Sequence, residues 1–238
     1  MKAHTLERLA LFAKDKNAHA RVVRMSDGRE TLVRPDRVEG DLDAPPDVIQ
    51  AARAALTADR STVAAAGNDR YFIHVHNPPR RMIVVGAVHI TQPLVNMAAL
   101  AAFDVTVIDP RGAFATAERF PGVTLMDDWP DEAMAKLQPD GRTAVVTLTH
   151  DPKIDDPALI SALRSPAFYI GALGSRKTHA SRLERLEVEG FDKRALDRIH
   201  GPVGLDLGGR APAEIACAIL AQTIQSLHKG AEARARAA

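Results

Sequence analysis

Residues 81–85 read Arg-Met-Ile-Val-Val and run directly into Gly86. After its first arginine this segment offers no polar position to either face. A strand of that kind is stable only when both faces are covered, which is the condition of a parallel sheet flanked by helices. Further apolar runs follow at 105–108, 123–126, 144–148 and 168–170. Segments of helical spacing intervene at 92–102, 131–137, 157–163, 176–189 and 192–199. A short strand over 203–207 then leads into a helix over 212–227. Strands alternating with helices predict an α/β fold, a Rossmann-like doubly wound parallel sheet. In such sheets ligands bind at the carboxyl ends of the strands, near the point where strand order reverses.

The pattern before Asn77-Pro78-Pro79 is different. It predicts a helix over 6–13, a strand over 18–25, a turn at Ser26-Asp27-Gly28 and a returning strand over 30–34. A helix over 45–56 is opened by Pro45 and Pro46. A hairpin of 62–66 with 70–76 turns at Gly67-Asn68-Asp69. The chain thus divides into a small α+β N-terminal domain, residues 1–77, and a Rossmann-like domain, residues 78–238. The tail from Glu232 onward is expected to fray.

Charge and cysteine content narrow the function. Lys plus Arg is 31 against 30 for Asp plus Glu, and aromatics are 4% of 238 residues. Bulk charge therefore excludes a strongly basic polynucleotide binder. One cysteine, Cys217, permits no internal disulfide. It is expected to pack in the last helix. The N-terminus lacks a long apolar segment, and no run approaches the roughly 20 apolar residues of a membrane span. The expectation is a cytoplasmic protein with no nucleic-acid or membrane partner. Its oligomeric state is open, with a homodimer among the options.

Five strand-end loops carry the candidate chemistry. The first, Gly86-Ala87-Val88-His89, keeps one glycine of a dinucleotide fingerprint, and Val88 and Thr91 occupy the other two glycine positions. A β-branched residue at the second obstructs close approach of a pyrophosphate. His89 reads either as an ordinary helix-start residue or as a ligand contact. The second loop is Asp109-Pro110-Arg111. Asp109 stands about 20 residues beyond Gly86, where a ribose-binding carboxylate sits in dinucleotide folds, and Arg111 can pair with phosphate. In the third, His150 and Asp151 follow the fourth strand as acid–base or hydrogen-bonding groups. Asp156 before Pro157 reads as a helix cap, and Asp155 as a solvated carboxylate. The fourth runs through Gly171, Gly174 and Ser175 into Arg176-Lys177. Two cations in a first helical turn oppose the macrodipole, a placement that a bound anion would reverse. The fifth includes Asp206, in an apolar strand, followed by Gly208-Gly209-Arg210 ahead of a helix opened by Pro212. His74 and His76, alternate on one hairpin strand, read as structural. No nucleophile elbow, Walker A loop, zinc spacing or Cys-x-x-Cys pair is present.

Several stretches resemble the xanthine dehydrogenase accessory protein family (XdhC/CoxI). They are IVVGAVH at 83–89, VIDPR at 107–111 with FATAERFP at 114–121, Thr149-His150-Asp151, YIGALGSRK at 169–177 and GLDLGGRAPAEI at 204–215. The resemblance implies a Rossmann-like domain in a non-catalytic factor. Such a factor binds molybdenum cofactor as cargo, supports its sulfuration with a cysteine desulfurase, and delivers it to a molybdenum hydroxylase subunit. The hydroxylase would be of the xanthine, aldehyde or carbon monoxide dehydrogenase type. On that resemblance the five loops form the cofactor-binding site, with no catalytic group and no resident metal. The family pattern has a second glycine where Val88 stands, and many members carry a cysteine in the N-terminal domain, where this chain has none. The alternatives that the residues themselves leave open are an NAD(P)-dependent oxidoreductase, suggested by Gly86 and Asp109, and a ligand-responsive regulatory module.

Overall fold

The computed structural model describes Arg8 and residues 17–237, with side chains described as far as Lys229. Apart from Arg8, the helix expected over 6–13 lies outside the described residues. The chain divides into two compact units, one within the residues up to Pro78, the other Pro79–Ala233.

In the first unit, strands β1 (His19–Arg24), β2 (Glu30–Val33), β3 (Val38–Gly40), β4 (Thr62–Ala66) and β5 (Asp69–His76) form one antiparallel sheet in the order β3-β2-β1-β5-β4. Alternation sends Ala20, Val22, Tyr71 and Ile73 to one face. There they pack on Val48, Ala52, Ala55 and Leu56 of helix α1 (Pro46–Ala58). Strand β3, absent from the expectation, is a three-residue edge with exposed ends that pairs with β2. No apolar alternation announces it, because its charged Glu39 lies between Val38 and Gly40.

The second unit is the parallel α/β domain. Its strands are β6 (Arg80–Val85), β7 (Phe103–Ile108), β8 (Thr124–Met126), β9 (Thr143–Thr147), β10 (Tyr169–Ala172) and β11 (Ile199–His200). Their order is β11-β10-β9-β6-β7-β8, every pair parallel. The chain builds outward from β6 to β7 and β8, then returns to add β9, β10 and β11 on the other side. The switch point therefore lies between β6 and β9.

The apolar strands are explained by two cores. Met82, Val84, Val105, Val107, Ala144 and Val146 face helices α2 (Thr91–Leu100) and α7 (Pro212–Ala237). Ile83, Val85, Ile108, Val145 and Ile170 face the opposite helices, α3 (Pro130–Leu137), α4 (Pro152–Arg164) and α5 (Arg176–Val188). A short helix, α6 (Lys193–Leu196), precedes β11. Each such side chain contributes roughly 1.5–3 kcal/mol when taken from water, so both faces favour apolar residues and period two disappears from the sequence.

Several boundaries differ from expectation. Helix α4 begins at Pro152, capped by Asp151, so Pro157 lies inside it. Asp156 is not the cap; its carboxylate accepts from Nε and Nη2 of Arg185 at 2.6 and 3.0 Å. Residues 203–207 form no strand, because β11 at Ile199–His200 already takes the edge beside β10. Helix α7 continues to Ala237 rather than fraying from Glu232. Cys217 is exposed, not packed, since Ala216, Ala218 and Ile219 supply the buried stripe of that helix.

Gly86 ends β6 at φ +108°, and a Cβ there would lie 2.6 Å from Thr149 Cγ2 across the switch point. Gly86→Ala is expected to lower the unfolding free energy by about 1–3 kcal/mol, read as a lower urea midpoint at unchanged slope. Gly122→Ala serves as control: its φ is +73° but nothing lies within 4 Å of the added carbon, so it should cost less.

Candidate strand-end ligand site

The carboxyl ends of β10, β9, β6 and β7 stand side by side, which places four of the five loops along one edge of the sheet. Each is held by a specific polar arrangement.

At the β6 and β7 ends the arrangement is a clasp. Asp109 is fully buried. Its Oδ2 accepts from Ala87 N–H at 2.7 Å and Arg111 Nη2 at 2.8 Å. Its Oδ1 accepts from Arg111 N–H at 3.0 Å and Arg111 Nε at 2.9 Å. Burial alone pushes this carboxyl up. The bonds from Arg111 and Ala87 outweigh it and hold Asp109 below the usual carboxylate range. The carboxylate expected to meet a ribose is thus engaged by its own chain, and Arg111 is paired with it. Thr91, standing where the fingerprint has its third glycine, is buried and donates to Gly86 O at 2.5 Å. Val88 packs against the core. His89 is exposed.

At the β9 end the organiser is Asp155. The expectation of a solvated carboxylate is overturned: Asp155 is 1% exposed. With α4 starting at Pro152, position 155 shares the buried stripe of Ala158, Leu159 and Ala162. Its Oδ1 accepts from Thr149 Oγ1 at 2.7 Å and Thr149 N–H at 3.3 Å, and its Oδ2 from His150 N–H at 3.2 Å. These bonds hold His150 at φ +64°, a region that non-glycine residues enter at a cost and that the surroundings must enforce. His150 and Asp151 are exposed, and Asp151 accepts from Lys153 N–H at 2.9 Å as the cap of α4.

At the β10 end Gly171 lies in the strand itself, where a Cβ would meet Val203 and the ring of Tyr169. Gly174 turns the chain at φ +145°. Ser175 caps α5, accepting from Thr178 N–H at 3.1 Å. Exposed Arg176 and Lys177 occupy the first turn, with no acidic residue among them.

Sequence reasoning missed Arg182. It is 2% exposed, on the buried side of α5 with Leu186. Its Nη2 donates to Leu173 O at 2.8 Å and lies 3.8 Å from Asp155 Oδ2. One buried pair thereby links the loops after β9 and β10. A charged residue four positions before a buried leucine on an amphipathic helix is the signal that could have found it.

The structure gathers some of these residues and separates others. His150, Asp155, Lys177, Thr178, Arg182 and Arg185 line one cavity of about 270 Å3. Asp206, Gly209 and Arg210 line another, of about 330 Å3, with Glu214. Asp206 is exposed in a loop rather than set in a strand. The Glu214 carboxylate accepts from Arg210 N–H at 2.8 Å and Ala211 N–H at 2.9 Å, so the amides at the start of α7 already hold an anion of their own chain. Among the described residues, no group of three or more His, Cys, Asp or Glu is placed to hold a metal, and no helix is long and apolar enough to cross a membrane.

The parallel sheet and its strand-end loops define a Rossmann-type module with a crevice at its strand ends. More particularly, the chain belongs to the XdhC family: the XdhC Rossmann domain matches residues 82–223. It is 34% identical over 156 residues to a Bacillus subtilis protein named as a probable subunit of xanthine dehydrogenase, covering 65% of this chain and 45% of that protein. It is 36% identical over 98 residues to PaoD, a molybdenum cofactor insertion chaperone of Escherichia coli, covering 41% and 30%. Over 158 residues it is 30% identical to the uncharacterized Escherichia coli protein YqeB, covering 65% and 28%. The chain therefore spans less than half the length of each of these relatives. A crystal structure of a xanthine dehydrogenase from Bacillus halodurans shares the fold at a TM-score of 0.74 and 23% identity, over 95% of this chain and 64% of that one.

The clasp has a pH signature. Asp109 is held below its ordinary value of 3.8, so its stabilisation is complete above that value and is lost as pH falls through the lower folded-state value. Asp109→Asn is expected to melt below wild type at pH 7 by the equivalent of about 1–3 kcal/mol. The gap should narrow as the pH drops below 3.8, when wild type loses the same charge. A gap independent of pH would remove the clasp's electrostatic role.

Proposed function

We propose that this chain is a non-catalytic accessory factor that binds molybdenum cofactor, molybdopterin or its dinucleotide, at the strand ends of its Rossmann unit. It delivers that cargo to a molybdenum hydroxylase subunit of the xanthine, aldehyde or carbon monoxide dehydrogenase type. A cysteine desulfurase is the partner through which sulfuration of the cargo would be supported. Support comes from membership of the XdhC family and from the similarity to PaoD, an insertion chaperone.

The start of α5 supports the location of the site. Helix α5 opens with Arg176 and Lys177 where the macrodipole favours Asp or Glu. Lys177 shares a cavity with His150 from the neighbouring strand end. Phosphate and pyrophosphate groups fit such a helix start, because amides and cations converge on an anion there. The other loops serve this site by position. Asp109 and Arg111 fix the Gly86 loop, and Asp151 caps α4. Gly171 and Gly174 let the backbone come close, and Ser175 caps α5. His89 stands exposed in the Gly86 loop, and Asp206, Gly209 and Arg210 line the separate cavity before α7; a long ligand would extend toward them. The dinucleotide-oxidoreductase reading fares worse, because its ribose carboxylate is engaged by Ala87 and Arg111.

The test is retention of pterin. Purified protein loaded anaerobically with molybdopterin is expected to keep it through gel filtration, read by fluorescence of the oxidised pterin. Arg176→Ala with Lys177→Ala should weaken retention by about tenfold or more, since each charge-assisted bond is worth roughly 1.5–3 kcal/mol. Loss of affinity with rising salt should be shallower in that variant. No retention by wild type would defeat the proposal; equal retention by the variant would defeat its placement. A pulldown of the hydroxylase that is identical with and without cofactor would favour a regulatory module instead.

A further inference from the structure

We infer that the cavity between the start of α4 and the first turns of α5 is a phosphate-monoester pocket, with buried Arg182 as its floor. This rests on the proposed function only for the identity of the larger ligand, not for the existence of the pocket.

Arg182 is 2% exposed, and its Nε and Nη1 have no hydrogen-bond partner among the described residues. A guanidinium carries five N–H donors and keeps its proton in proteins. Leaving donors of a buried charge unmade costs more than an ordinary lost hydrogen bond. Asp155 does not resolve this. It stands at 3.8 Å from Nη2 and gives its short contacts to Thr149 and His150. Among the described residues, Asp155 is the one carboxylate lining the cavity, and the next on the helix, Asp156, is already paired with Arg185 in two bonds.

The cavity matches what Arg182 lacks. Lys177 at the rim adds a second cation, and Thr178 and Ser181 add hydroxyls. Ser175 satisfies only Thr178 N–H, and the amides of Arg176 and Lys177 have no acceptor within the helix. A tetrahedral dianion with three terminal oxygens answers donors arriving from a helix start, a lysine and a planar fork. Size selects the group. About 270 Å3 lies just below the roughly 300–1,000 Å3 of pockets that enclose whole small molecules. The pocket therefore takes the phosphate and its nearest atoms, while the rest of the ligand extends along the strand ends past His150.

Isothermal titration calorimetry and melting curves test this on the full chain, using inorganic phosphate, a nucleoside monophosphate and, as control, chloride at equal ionic strength. Saturable heat and a melting temperature that climbs with phosphate are expected, and the monoester should bind more tightly than the free ion. Arg182→Lys keeps the charge but not the fork, and Lys177→Ala alters only an exposed side chain. Each should weaken binding by about tenfold. No binding by wild type, or wild-type affinity in Lys177→Ala, overturns the pocket even if Arg182→Lys fails to fold. Tighter binding of the free ion than of the monoester overturns the assignment to an organic ligand. Pterin retention is scored on the same proteins. Phosphate binding without pterin retention supports the pocket and defeats the cargo reading. Pterin retention without phosphate binding does the reverse.

Discussion

The strand-end architecture depends on two oppositely charged side chains placed where neither is well solvated. Asp155 and Arg182 are both enclosed, on adjacent helices, at a separation of 3.8 Å. Burial dominates both: it pushes the Asp155 carboxyl up and the Arg182 guanidinium down. A buried pair of this kind is a weak source of stability, since desolvation cancels much of the attraction and an apolar pair of similar volume is often as stable. What the pair supplies is position. Asp155 fixes the backbone at Thr149 and His150, and Arg182 fixes the carbonyl of Leu173. The loops after β9 and β10 are thereby held at a set distance, and the cavity between them follows.

The Asp109 clasp plays the equivalent part on the other side of the switch point. There the carboxylate is well compensated, with four donors shared between its two oxygens. Arg111 also feels the charges of Asp151 and Asp155, so the clasp and the β9 loop are electrostatically connected. Gly86 completes the junction, because only a residue without Cβ can pass Thr149 at that distance. A sequence that has lost the second fingerprint glycine can still keep the first, since the first is required by strand packing and not by a pyrophosphate.

The fold was legible because its strongest signal is redundant. Residues 82–85 are apolar on both faces for one reason, cover from both sides, and that reason repeats at β7, β9 and β10. The loops were legible as locations but not as roles. Asp109 reads equally as a ribose ligand or a turn carboxylate, and only the geometry shows it turned inward onto Ala87 and Arg111. Pro157 misplaced the start of α4, because a proline preceded by Asp imitates a cap; the true cap, Asp151-Pro152, stands five residues earlier with the same pattern. That shift moved Asp155 from the surface to the core and hid its link to Arg182, a contact between helices that no local window contains. Three apolar neighbours make Asp206 read as a strand residue, although Ile199 and His200 fill the sheet edge.

The balance of charge along the strand ends then decides where an anion can go. At α7 the helix start is closed by Glu214, and at β7 the arginine is closed by Asp109; both positives have found a negative within the chain. At α4 the first turn is capped by Asp151, again from within. At α5 the cap is a neutral serine, the first turn carries two cations, and the buried arginine beneath them is only half answered by Asp155. Of the starts of α4, α5 and α7, that of α5 is thus the one with cations and no carboxylate in its first turn. An anionic ligand gains most where it replaces no internal partner, which favours the proposed site at Lys177 and Arg182 over the glycine loop at Gly86.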